Sequence, residues 1–225
     1  MIISGLDVAF SNDFMALVTV EKSHDGKIRL DNLDTWRKFD WGKWKQDMKI
    51  KQHKFNIDWI YVDKTSNQSV AMELEEMGMR VEGVPFTNSS KYDMIRNATK
   101  QIVTGELVMP IVSAIQSPKQ KKLVKELFEQ IREQEYRHES ANVKLAHPQG
   151  RHDDLLWALC LALYGVSLQV REPVSIAEGF SYDQSDPPES QRPFVEAFSS
   201  RFQESGNKIT KVRLRKPGEK DWWET

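Results

Sequence analysis

Ile2 to Phe10 is a short apolar run broken by one acid, Asp7, and Ser11-Asn12-Asp13 after it is turn chemistry. Phe14 to Glu21 is a second extended run. His24-Asp25-Gly26-Lys27 makes a hairpin turn, and alternation resumes from Ile28. The opening therefore predicts a three-stranded meander with Asp7 on its first strand. From Asp40 to Phe55 the period changes: Trp41, Trp44, Met48 and Phe55 recur near helical spacing. Residues 56–63 predict a strand that ends on Asp63. Asn67 to Met77 predicts a helix stopped by Gly78, and 80–86 another strand. Asn88-Ser89-Ser90 predicts the cap of a helix from about Lys91 to Thr104, closed by Gly105. Leu107 to Pro110 reads as extended, and Lys119 to Arg137 as a charged amphipathic helix. Leu155 to Leu163 is apolar on nearly all sides, so that helix is expected to be buried.

A meander followed by alternating helices and strands predicts an α/β domain with a mixed sheet. Its first strands are antiparallel, its later ones parallel, and helices cover both faces. After Leu168 the pattern stops. Arg171 to Asn207 carries Pro173, Pro187, Pro188 and Pro193, many serines and more acid than base. Lys208 to Lys216 then alternates with a basic side, and Trp222 and Trp223 follow. The expected division is a domain over 1–168 and a Pro/Ser-rich tail over 169–225 ending in a basic, strand-like segment.

Composition narrows the function classes. With 225 residues, 39% of them apolar, the chain can bury one substantial core. No apolar run approaches the roughly 18 residues of a membrane span. The start lacks a basic-then-apolar leader, so the expected compartment is a cytoplasm, and the host cell's cytoplasm if the source is viral. One cysteine, Cys160, excludes a disulfide framework and a cysteine-built zinc site, and within its apolar helix it reads as core. The formal net charge is −1, so any nucleic-acid contact must come from local clusters of base.

Three acids stand in unusual surroundings. Asp7 lies in mid-strand, Asp63 ends an apolar strand, and Asp153-Asp154 stand at the mouth of an apolar helix. A carboxylate there must be paired, hydrogen-bonded or bound to metal. Asp153 or Asp154 alone reads equally well as a helix cap, and Asp63 alone as a turn residue. Asp7 is harder to explain so, because strands disfavour Asp. If the first and fourth strands are neighbours, Asp7 and Asp63 converge, and a helix crossing them brings in Asp154. Carboxylates gathered in this way repel unless a divalent cation lies between them. Ligands that are all oxygen select hard ions such as Mg²⁺ or Mn²⁺. Two such ions can activate a water and stabilise the leaving oxygen of a phosphodiester.

The segments Gly5-Leu6-Asp7-Val8-Ala9 and Trp59-Ile60-Tyr61-Val62-Asp63 belong to a wider pattern. It continues in Val84 to Lys91, a helix, Gly105 to Pro110, and Arg151-His152-Asp153-Asp154-Leu155-Leu156-Trp157-Ala158-Leu159. In their order and spacing, over about residues 1–168, these resemble the nuclease domain of viral large terminase subunits, in the RNase H-like (RuvC-type) superfamily. The resemblance implies that Asp7, Asp63 and Asp154 bind metal, two Mg²⁺ or Mn²⁺ ions, with Asp153 assisting in catalysis. It implies endonuclease cleavage of double-stranded DNA during viral genome packaging. The implied partners are a packaging ATPase, a small terminase subunit and a portal, with no membrane. Two features depart from the pattern. Lys64-Thr65-Ser66-Asn67-Gln68 replaces the small or glycine-containing turn that many relatives have after the second acid. No G-x-x-x-x-G-K-[ST] phosphate loop occurs, so ATP-driven translocation is not expected of this chain. The alternatives are a Holliday-junction resolvase-like or other RNase H-like nuclease, and a DNA-packaging module of the same fold without activity. An actin-like ATPase is disfavoured because the glycine-rich phosphate turns are missing.

Duplex binding requires lysines and arginines facing phosphates. Candidates are Lys43 and Lys45 in the basic segment 37–54, Lys91 after the capping serines, and Lys121 and Lys122 at the start of the long helix. Lys211, Arg213 and Arg215 of the tail complete the set. A solvated helix face with tryptophans in the core is the favoured account of the first cluster. The glutamates that follow make the long helix mostly an ordinary solvated face, but the base around 119–125 opposes the helix dipole, which favours a functional reason there. His152 fits a structural hydrogen bond better than a metal ligand.

Overall fold

β1 (Ile2–Asp7), β2 (Met15–Lys22) and β3 (Ile28–Trp36) form the expected meander, turned at Gly26 with φ +81°. The computed structural model describes residues 1–8, 14–36, 40–65, 68–133, 135–139, 142–146 and 152–170. For 68, 135–139 and 142–146 it describes the backbone path alone. The tail lies outside the described residues beyond Val170, and with it Lys211, Arg213 and Arg215.

β4 (Trp59–Asp63) runs parallel to β1, with Gly5 opposite Tyr61 and Leu6 opposite Val62. β5 (Val81–Val84) is parallel to β4, and β6 (Leu107–Val108) pairs in parallel with Ile28 and Arg29 of β3. The sheet order is β5-β4-β1-β2-β3-β6, the mixed sheet expected. Alternate residues of its strands feed two cores. Ile3, Val18, Val20 and Tyr61 face one; Leu6, Leu17, Ile60 and Val62 face the other.

α1 (Trp41–Phe55) and α2 (Gln68–Glu76) cover the second face, where Trp44 and Met48 are buried. The N-cap of α1 is Asp40, which accepts the Lys43 amide at 3.0 Å. α3 (Asn88–Val103), α4 (Pro118–Glu133) and α5 (Asp154–Val170) cover the first. α3 begins three residues earlier than its serines suggest. Thr87 is the cap, in a reciprocal capping box with Ser90. α4 ends before Arg137: Glu135–Glu139 (β7) pairs with Asn142–Ala146 (β8) as a separate antiparallel hairpin.

α5 is the central helix, buried along most of its length between β1, β2 and β4 below and α3 and α4 above. Two glycines permit its close approach. A Cβ on Gly5 would stand 2.0 Å from the Ala158 carbonyl oxygen, and one on Gly165 would stand 2.3 Å from the Tyr61 ring.

β6 covers only the beginning of β3, and the outer edge further along is held by side chains. The Gln120 amide donates to the Leu33 carbonyl at 2.8 Å and accepts the Leu33 N–H at 3.1 Å. It also donates to Asn32 Oδ1. Asp34, 3% exposed, is gripped by Lys51 of α1 and, at 2.6 Å, by Lys119 of α4, helices on opposite faces of the sheet; Asn32 Nδ2 donates to it too. Lys119 therefore has a structural reason to oppose its helix dipole.

Burial raises the Asp34 carboxyl, but donation from Lys119, Lys51 and Asn32 outweighs it, and the group titrates below its ordinary value. A depressed carboxyl adds stability that is present above the unfolded pKa of about 3.9 and is lost as pH falls through the folded one. Asp34→Asn is expected to cost about 2–3 kcal/mol at neutral pH, less than a stranded buried charge because Lys119 can swing into water. Urea unfolding should show the deficit shrinking below about pH 4. A deficit independent of pH would mean that the Asp34 charge contributes nothing.

Candidate active site

The end of β1 and the end of β4 lie side by side, because parallel pairing carries Leu6–Val62 directly on to Asp7 and Asp63. Both acids share the sheet face of Gly5 and Tyr61, the face against which α5 packs. Asp154 opens α5, one turn before the Ala158 carbonyl that sits against Gly5. The three sequence-predicted acids thus meet at one end of the sheet, brought there by strands one and four and by the crossing helix. Asp63 and Asp154 are buried, at 7% and 6% exposure, and Asp7 is half-buried.

Their fields overlap. Burial pushes the Asp7 carboxyl well above the ordinary carboxylate range, and Asp154, Asp153 and Asp63 push it further, in that order, while Lys91 opposes them. Among the described residues, no three acids, histidines or cysteines close into a ready ligand group. The donor set is nevertheless oxygen throughout, and it fits a hard divalent cation.

Neighbouring groups hold these acids in place. Asp63 Oδ1 accepts the Thr65 N–H at 2.7 Å, an Asx turn, and Thr65 Oγ1 accepts the Phe86 N–H at 2.7 Å. The departure at Lys64-Thr65 thus supplies a hydrogen bond to the second acid. At the mouth of α5 the Leu156 N–H is received by Gln130 of α4 at 3.0 Å, so a side chain from another helix satisfies this buried first-turn amide. Asp153 accepts the Trp157 indole N–H at 2.8 Å. His152 Nδ1 lies 3.9 Å from Asp154 Oδ2, and its ring meets Phe14 edge to face.

Lys91, in the first turn of α3, comes to the same place. Its ammonium lies 4.8 Å from the Trp157 ring centroid and 5.0 Å from that of Phe86. The other basic candidates stand apart. Lys43 is exposed on α1, and Lys45 is paired with Glu73 of α2. Lys122 is exposed and Lys121 half-exposed near the start of α4. Sequence reading missed Gln130, Thr65 and the two rings at Lys91. The Ser/Thr-rich turn after Asp63 was the only signal for any of them. Among the described residues no helix is long and apolar enough to cross a membrane.

No protein-family model matches the chain, and no curated protein matches it. Solved structures do. The large terminase nuclease of thermophilic phage G20c is 19% identical, with 73% of this chain and 81% of that one covered and a TM-score of 0.59. The same nuclease with bound magnesium superposes with a TM-score of 0.58. The HK97 bacteriophage large terminase is 12% identical at a TM-score of 0.57; the match covers 73% of this chain and 39% of that one. A variant nuclease domain of the large terminase subunit gp2 of bacterial virus Sf6, with manganese and β-thujaplicinol, is 11% identical. It covers 72% of this chain and 87% of that one, with a TM-score of 0.55. The described residues have the RNase H-like fold of these nuclease domains.

Proposed function

We propose that this chain is a metal-dependent endonuclease that cuts double-stranded DNA, as a terminase nuclease does in viral genome packaging. The observation that carries the reading is the meeting of Asp7, Asp63 and Asp154 at one end of the sheet, on ligand atoms that are all oxygen. Asp7, Asp63 and Asp154 would hold two Mg²⁺ or Mn²⁺ ions, which when bound supply an activated water and charge neutralisation at the leaving oxygen. Asp63 is kept in one rotamer by Thr65, and Asp154 is held in place by the packing of α5 on Gly5. Lys91 brings positive charge to the acids, and Lys43, Lys121 and Lys122 are the exposed or half-exposed bases available to the flanking phosphates. Lys45 contributes less, since Glu73 already neutralises it. Lys211, Arg213 and Arg215 would extend the DNA contact from the tail. In packaging, the expected company is an ATPase motor, a small terminase subunit and a portal, in the host cytoplasm.

Incubating the full chain with supercoiled plasmid tests the reading. Nicked and linear products are expected with Mn²⁺, fewer with Mg²⁺, and none with EDTA. Cleavage indifferent to EDTA, or no cleavage with any cation, would remove the proposal. A strong preference for a four-way junction over linear duplex would move it to the resolvase-like alternative.

A further inference from the structure

We infer that Trp157 and Phe86 form an aromatic bracket that positions Lys91 to take a DNA phosphate at the acid site, and that Asp153 acts through Trp157 as a positioning residue. The inference rests on the nuclease reading and assigns roles within it that the acids alone do not require.

The two rings meet edge to face, with centroids 5.6 Å apart, and the Lys91 ammonium lies within 5.0 Å of both. A lysine on a helix surface ordinarily samples many rotamers, and fixing it costs side-chain entropy. Two π faces that share one ammonium offset that cost through the ring quadrupoles, and more so where water is partly excluded. Trp157 is 4% exposed, and Lys91 is half-buried. The indole cannot turn away: its N–H is held at 2.8 Å by Asp153, the residue immediately before the buried Asp154. One loop of contacts thus ties the mouth of α5 to the first turn of α3. Asp153, expected to assist the other acids, gives its Oδ2 to the indole N–H.

The chemistry of the place explains why a fixed cation is useful. Four carboxylates carry as much negative charge as two divalent ions carry positive, so bound metal leaves little surplus to attract a phosphodiester. An ammonium held at a defined point supplies an attractive contact without competing for the metal's ligands. The near contacts of the Lys91 ammonium are ring faces, which take none of its N–H donors from a phosphate oxygen.

Binding of a short duplex to the full chain, in Ca²⁺ and over a range of salt, reads the contact directly. One phosphate contact contributes about −0.9 to the slope of log K against log salt. Lys91→Gln should flatten the slope by about that amount, and Lys91→Arg should restore it. Trp157→Leu should flatten it likewise, and the double variant no further, because both remove one contact. Phe86→Leu gives the same test if Trp157→Leu does not fold, and Asp153→Asn should flatten the slope partially. A purely structural role for these residues would lower stability and leave the slope unchanged. Duplex binding with a normal slope in Lys91→Gln overturns this inference alone. Failure of the wild-type chain to bind duplex overturns the nuclease reading and this inference together.

Discussion

Asp7→Asn should reduce plasmid cleavage by roughly a thousandfold or more, and it should do so while raising the melting temperature of the metal-free protein. The first effect follows from the chemistry proposed for the site. Charge stabilisation by bound metal is worth several kcal/mol, and each 1.36 kcal/mol is about a factor of ten. Asp63→Asn and Asp154→Asn should lose cleavage comparably. The second effect has its own physical cause. Burial, and then Asp154, Asp153 and Asp63, raise the Asp7 carboxyl in the folded chain. A carboxyl raised on folding destabilises the folded state increasingly as pH rises from the unfolded value of about 3.9 toward the folded one. Asparagine removes that penalty. The advantage of Asp7→Asn should therefore be small near about pH 4 and grow as pH rises from there toward the folded pKa. Mn²⁺ at a hundredfold excess over Kd should stabilise the wild type by about 2.7 kcal/mol, and the variant by less. Thermal melts in EDTA and in Mn²⁺ check both signs. Destabilised Asp7→Asn together with a wild type indifferent to Mn²⁺ would make Asp7 a structural residue.

Gly5→Ala should be among the most damaging single-methyl substitutions in the chain, with a cost of about 3 kcal/mol or more. The added Cβ meets the Ala158 carbonyl oxygen at 2.0 Å and the Ala162 amide nitrogen at 2.5 Å, and both are helix backbone. No rotamer change relieves a clash with backbone, so α5 must lift from β1. Lifting it carries Asp154 away from Asp7, so any folded protein should also have lost cleavage. Gly165→Ala provides the contrast. Its Cβ meets the Tyr61 ring, so a smaller residue at 61 should recover part of its loss, whereas no partner substitution should rescue Gly5→Ala. Urea unfolding of the variants measures both. Wild-type stability in Gly5→Ala would mean that the sheet and α5 are not held at this distance.

The meander and the acids were legible in the sequence because each rests on local chemistry. An Asp-Gly turn flanked by alternation specifies a hairpin, and an acid in an apolar strand stands out against its neighbours. The all-apolar stretch of α5 announced a helix buried on every side. The β7–β8 hairpin was not legible. Glu135 to Arg137 are acceptable helix formers continuing a helical pattern, and only pairing with Asn142–Ala146 makes them a strand. The cap of α3 was displaced because Ser90, which looks like a cap, is the far partner of a box opened by Thr87. At the site, the acids were visible, but their supports were not. Phe86 and Trp157 come together only when α3 packs on α5, and Gln130 reaches Leu156 from another helix. Nothing in the local pattern marks a glutamine for that role.

The Gln120 amide presents to Leu33 one donor and one acceptor, the same pair a neighbouring strand would offer. The sheet thereby ends on an imitation of a strand that has no further edge to pass on. A second copy of the chain arriving at this margin, as in edge-to-edge aggregation, finds the Leu33 peptide group already satisfied. To add there it must first displace Gln120, which is also bonded to Asn32 and whose neighbour Lys119 holds Asp34. Proteins commonly blunt an open margin with proline, a bulge or an outward lysine. Here a single primary amide does so, and it lets the chain stop its sheet after a two-residue strand without inviting its own copies to continue it.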